Sequence, residues 1–144
     1  MGFDRGQAAS RAPFLPEFSV FVFDRFHHDR RIAKDGGVIP SAISVQVLNE
    51  FTSVALRKLG MKVSEIREAL EPITAICKVV PLTQQIHNRG LQVAERYRFA
   101  FYDALIVAAA LESGCTVLYS EDMQDGQVIQ NTPHTLTIKN PFRA

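Results

Sequence analysis

Apolar residues in this chain fall into two kinds of run: short, compact ones and longer ones at helical spacing. Phe18-Ser19-Val20-Phe21-Val22-Phe23-Asp24 is aromatic and β-branched and predicts a strand. Val38 to Ile43 predicts a second, short one because Pro40 interrupts it. Ser44 then suits an N-cap, with Leu48, Phe51, Thr52, Ala55 and Leu59 following at helical spacing until Gly60. A second helix is expected from Ser64, fading after Pro72, and a strand over Cys77–Val80. Thr83 caps a helix running to about Arg98, and Tyr102 to Ser113 is an apolar helix closed by Gly114. Thr116–Tyr119 and Thr135–Ile138 read as further strands. Residues 1–16, rich in Gly, Ala, Arg and Pro without a clear period, read as a loose arm.

Strands alternating with helices predict an α/β fold: a parallel sheet with helices on both faces. In such sheets the ligand crevice lies beyond the carboxyl ends of the strands. Length changes this picture little, since 144 residues suit one domain spanning 1–144. The 47% apolar content is enough for a core. The longest apolar run, Ala104 to Leu111, is too short to cross a bilayer, and no signal-like segment opens the chain, so a cytoplasmic protein is expected. Cys77 and Cys115 lie in or beside apolar runs without metal spacing and read as reduced core thiols.

The candidate chemistry is in the acids. Asp103 opens the most apolar helix of the chain, Asp122 follows the Thr116–Tyr119 strand, and Glu50 flanks the buried face of the Ser44-capped helix near Val47 and Val54. Asp24 ends the first predicted strand and is expected at the same edge. Each has an ordinary reading: Asp103 as a helix-start acid, Asp122 as a turn former, Glu50 as a solvated helix residue. Gathered together, they demand another reason. Two carboxylates about 5 Å apart repel by roughly 3 kcal/mol at an effective dielectric near 20, so a fold that keeps such a cluster binds an opposite charge there. Mg²⁺ or Mn²⁺ suits all-oxygen ligands and activates water against phosphodiesters. Ser120, between the strand and Asp122, is a candidate support for a water or a phosphate.

Ser44–Phe51, the Asp103-Ala104-Leu105-Ile106-Val107-Ala108-Ala109-Ala110 helix, Tyr119-Ser120-Glu121-Asp122, Gly126-Gln127 and Asn140-Pro141-Phe142 together resemble PIN-domain nucleases, above all VapC-type toxins of bacterial toxin–antitoxin pairs. The resemblance covers roughly residues 42–144. It implies a flavodoxin-like sheet, a Mg²⁺- or Mn²⁺-dependent endoribonuclease acting on RNA, a homodimer, and a VapB-like antitoxin that holds it inactive. It makes Glu50, Asp103 and Asp122 the catalytic, metal-holding acids, with Asp125 an outer member. The family's first strand ends in Asp-Thr-Asn, which this chain lacks; Glu17 and Asp24 are the rival substitutes.

The net charge of +1 gives no bulk attraction to nucleic acid, which leaves the local cluster Arg25, His27, His28, Arg30, Arg31 and Lys34. That cluster reads first as a solvated face and second as a phosphate contact. No Ser–His–Asp, Cys–His or Gly-rich phosphate loop can be assembled. The missing Asp-Thr-Asn favours a second reading: a degenerate, catalytically impaired domain that binds antitoxin or RNA without cutting. A phospho-accepting signalling domain of similar topology would need an Asp after a middle strand, and none follows Val80.

Overall fold

The computed structural model of the chain describes residues 22–24, 41–131 and 134–142. The expected loose arm, Glu17 and the basic cluster of residues 25–37 lie outside the described residues.

Six strands form one sheet: β1 (Val22–Asp24), β2 (Ser41–Ser44), β3 (Lys78–Val80), β4 (Val117–Tyr119), β5 (Val128–Asn131) and β6 (His134–Lys139), in the spatial order β3-β2-β1-β4-β6-β5. Strand β2 pairs parallel with β3, and β4 with β6. The sheet is not wholly parallel as expected, because β1 runs antiparallel to both β2 and β4, and β5 antiparallel to β6. The direction of β1 is set by pairing at a distance, with Phe23 in register with both Ala42 and Leu118, and not by its local pattern. Strand β5 was not expected at all; two of its four residues are polar, and it lies at the sheet edge.

The helices are α1 (Val45–Arg57), α2 (Val63–Ile76), α3 (Gln84–Tyr97) and α4 (Phe101–Glu112). Ser44 caps α1 by accepting the Val47 N–H at 3.2 Å, and Thr83 caps α3 by accepting that of Ile86 at 3.2 Å. Helix α2 starts one residue before Ser64, where Glu65 accepts the Lys62 N–H at 3.1 Å, as in half of a capping box. It continues through Pro72 to Ile76, beyond the expected end. Proline removes one hydrogen bond there, and residues 71–76 are exposed, so water can serve the freed carbonyl.

Helix α4 is the centre of the core. Every residue from Ala104 to Leu111 is buried, and the helix packs on β2 and β4 beside the buried side chains of Leu118, Leu136 and Ile138. It crosses α3 at Gly90, where an added Cβ would come within 2.8 Å of Leu105 Cδ2, so glycine permits the close approach. A separate small cluster, Phe51, Ala55 and Ile66 with Met61, Ala69 and Leu70 against it, joins α1 to α2.

Candidate functional site

The carboxyl ends of β2, β3, β4 and β6 share one edge, because Ser44 is in register with Val80 and Tyr119 with Lys139. Three segments that leave this edge carry the candidate acids. Helix α1 starts directly after β2 and places Glu50 in its second turn, half-buried. Asp103 lies in the first turn of α4, also half-buried. Asp122 follows β4 on an exposed turn.

These three acids feel one another. Burial raises the Glu50 carboxyl above its ordinary pKa, a hydrogen bond from Gln46 opposes this, and the charges of Asp103 and Asp122 raise it further. Burial likewise raises Asp103, and Asp122 adds to the shift. Each pair is therefore coupled. The described residues include no group of three or more His, Cys, Asp or Glu drawn together tightly enough to hold a metal ion. The acids form a mutually repelling set, and carboxylate oxygens are among the hard donors that a small divalent cation takes.

Around them are residues that fix the acids in place. Gln46 is buried, and its Nε2 donates to Glu50 Oε1 at 3.4 Å, a long bond one helical turn away. The i,i+4 spacing of Gln46 and Glu50 was the available signal for this partner, which the sequence reading passed over. Ser120 is fully buried, and its Oγ accepts the Met123 N–H at 3.2 Å. Its hydroxyl therefore holds the turn that carries Asp122 and is closed off from solvent. Asp125 is also engaged in structure: its Oδ1 accepts the Asn140 N–H at 2.7 Å, while Asn140 Oδ1 accepts the Phe142 N–H at 2.9 Å. The Asn140-Pro141-Phe142 signature is thus a clamp closing the chain end onto the Asp125-Gly126 turn. Gly126, at φ +83°, donates its N–H to the Ile138 carbonyl at 2.7 Å within that clamp.

Asp24 does not join the other acids. The antiparallel run of β1 sets it in register with Ser41 and Val117, at the amino ends of β2 and β4, so the backbone carries it to the opposite edge. Glu17 lies outside the described residues. Away from the acids, an open polar cavity of about 410 Å³ is lined by Gln84, Gln85, Asn88, Arg89, Gln92 and Glu112. Its walls are drawn together by a hydrogen bond from Gln85 to Glu112 at 2.8 Å.

The family model described as the PIN domain matches residues 18–124, a span that holds Glu50, Asp103 and Asp122. No curated protein matches the chain. No helix among the described residues is long and apolar enough to cross a membrane.

Proposed function

The chain belongs to the PIN domain family, whose general function is that of a nuclease, and within it we propose a divalent-metal-dependent endoribonuclease of the VapC toxin kind. The observation that carries this reading is the coupling of Glu50, Asp103 and Asp122 at the carboxyl edge of the sheet. PIN domains typically use divalent metal ions. The donor chemistry here fits such an ion, and the acids' mutual repulsion is what a cation would relieve.

Asp103, Asp122 and Glu50 would hold Mg²⁺ or Mn²⁺. When bound, such an ion supplies a water of lowered pKa and neutralises charge on a phosphodiester. The protein's own part is placement. Helix α4, buried from Ala104 onward, fixes Asp103. Ser120 fixes the turn under Asp122, and Gln46 steers Glu50. In the proposed hydrolysis a water oxygen bonds to phosphorus, the bridging P–O bond breaks, and the departing oxygen takes up a proton. The exposed apolar side chains of α1, α2 and their joint, Leu56, Leu59, Val63, Ile73 and Ile76, are of the kind an antitoxin segment would cover. The homodimer and the cytoplasmic setting are part of the same proposal.

One observation favours a second reading, a domain that binds RNA or antitoxin without cutting it. Asp24 is at the far edge, so β1 does not bring its acid to the other three. A single assay decides between them. RNA cleavage that requires Mg²⁺ or Mn²⁺, stops with EDTA and falls about a hundredfold or more in Asp103→Asn is the expected result. A folded protein that neither cuts RNA nor gains thermal stability from either ion contradicts the enzyme reading.

A further inference from the structure

Gln46 occupies the second position of α1, where the helix asks little of it. Ser44 already accepts the Val47 N–H, so the Gln46 amide is not needed as a cap. Yet its side chain is buried, at 7% exposure. A buried amide is costly unless it is bonded, and an apolar residue would fill the same space without that cost. Among the described residues the amide has one partner, Glu50 Oε1, which it reaches at 3.4 Å. No other hydrogen bond to the Glu50 carboxylate is made among those residues, which leaves Oε2 free. The charges of Asp103 and Asp122 reach the same carboxylate, so Glu50 is a member of the acidic set rather than a solvated helix residue.

An ordinary i,i+4 pair on a helix surface adds a little stability and nothing more. This pair differs because its donor is buried and its acceptor is one of the acids proposed to hold an ion. Small and large divalent ions ask different things of such an acid. Mg²⁺ keeps several of its waters and demands near-ideal octahedral geometry around a short list of carboxylates. Ca²⁺ gathers more oxygens, at longer distances, and often does so by gripping both oxygens of one carboxylate. For Glu50 to turn both oxygens to one ion, Oε1 would have to leave Gln46 and strand a buried amide without an acceptor. An ion served by Oε2 alone asks for no such change.

We infer that Gln46 is a selectivity residue: by holding Glu50 Oε1 it makes Glu50 a one-oxygen ligand and so disfavours Ca²⁺ against Mg²⁺ at the acidic set. This rests on the metal-dependent reading, since it requires an ion to be held there. Gln46 touches neither ion nor substrate in this account; it is a positioning residue that acts through Glu50. Partners of this kind, one step removed from an ion, commonly tune which ion is held and how tightly.

The experiment follows thermal unfolding of the full-length, metal-free protein titrated with Mg²⁺ and, separately, with Ca²⁺. The rise of the midpoint with concentration gives an apparent affinity for each ion. Wild type is expected to prefer Mg²⁺. Gln46→Met, which keeps the length of the side chain and removes the amide, should cut that preference by about tenfold. Thr52→Val is the control. It removes another hydrogen bond of α1, to the Leu48 carbonyl at 2.8 Å, about 200° around the helix from Glu50. It should lower stability and leave the preference unchanged, because a loss common to both ions cancels in the ratio. Glu50→Asp keeps the charge but draws the oxygens back from Gln46, so adding Gln46→Met to it should change nothing further. A wild type without preference, or a ratio that Gln46→Met leaves unmoved or moves equally in the Glu50→Asp background, overturns the inference. A protein that discriminates through Gln46 yet cuts no RNA with Mg²⁺ or Mn²⁺ sustains it while refuting the nuclease reading. A protein stabilised by neither ion removes both.

Discussion

The acids rest on two unlike supports. Asp103 begins α4, a helix buried along eight consecutive residues and packed on two strands. Glu50 lies on α1, whose inner end, at Val47, joins the main core while its outer half, at Phe51 and Ala55, joins only the small cluster with α2. Beyond Ile66, α2 buries no residue fully. One acid is therefore set in a rigid frame and the other on a unit tied down by few buried side chains. The divalent site proposed for such a pair would be adjustable, with the fixed carboxylate setting the position and the looser one adapting.

Core truncations test this difference most strongly. Leu118→Ala, beside α4, should destabilise the protein by about 4 kcal/mol, because a fully buried leucine leaves a cavity in the tightest region. Ile66→Ala should cost about 2 kcal/mol, near the low end for a buried isoleucine, because the small cluster can collapse around the gap. Chemical denaturation of both variants gives the two values; equal losses would remove the distinction between the supports. A smaller effect sharpens it. Gln46→Ala removes the long hydrogen bond to Glu50 and should lower stability by about 0.5 kcal/mol. It should also raise the Glu50 carboxyl further, since that bond is what opposes the shift, while leaving Asp103 where it is. Carboxyl chemical shifts followed through a pH titration would report both groups.

Much of this was legible in the chain. The Ser44 and Thr83 caps, the buried Asp103 helix and the strand before Asp122 all follow from local side-chain chemistry and period, and they bring the three acids to one edge. What was not legible depends on pairing at a distance. The direction of β1 is set by its neighbours β2 and β4, and reversing it sends Asp24 to the far edge although its place at a strand end was read correctly. Helix α2 passes Pro72 because its last turns are exposed, a tertiary fact that outweighs the local penalty. Ser120 reads as a support for a water or a phosphate from its place before Asp122, and the resemblance alone makes Asp125 an outer member of the acids. Their hydrogen bonds to Met123 and Asn140 show instead what holds the Asp122 turn in place.

The central claim, that Glu50 and Asp103 with Asp122 form one repelling charge set awaiting a cation, is tested most directly by the pH dependence of thermal stability in metal-free protein. In the unfolded chain Glu50 and Asp103 lose their protons in the ordinary carboxylate range, whereas the folded protein holds them to higher pH. Between those limits the folded state binds more protons, so stability must fall as pH rises through the raised carboxyl values. Asp103→Asn should flatten that fall and leave the metal-free protein more stable above it, and Mg²⁺ should restore wild type at the same pH. A stability curve unchanged by both Asp103→Asn and Mg²⁺ would contradict the account.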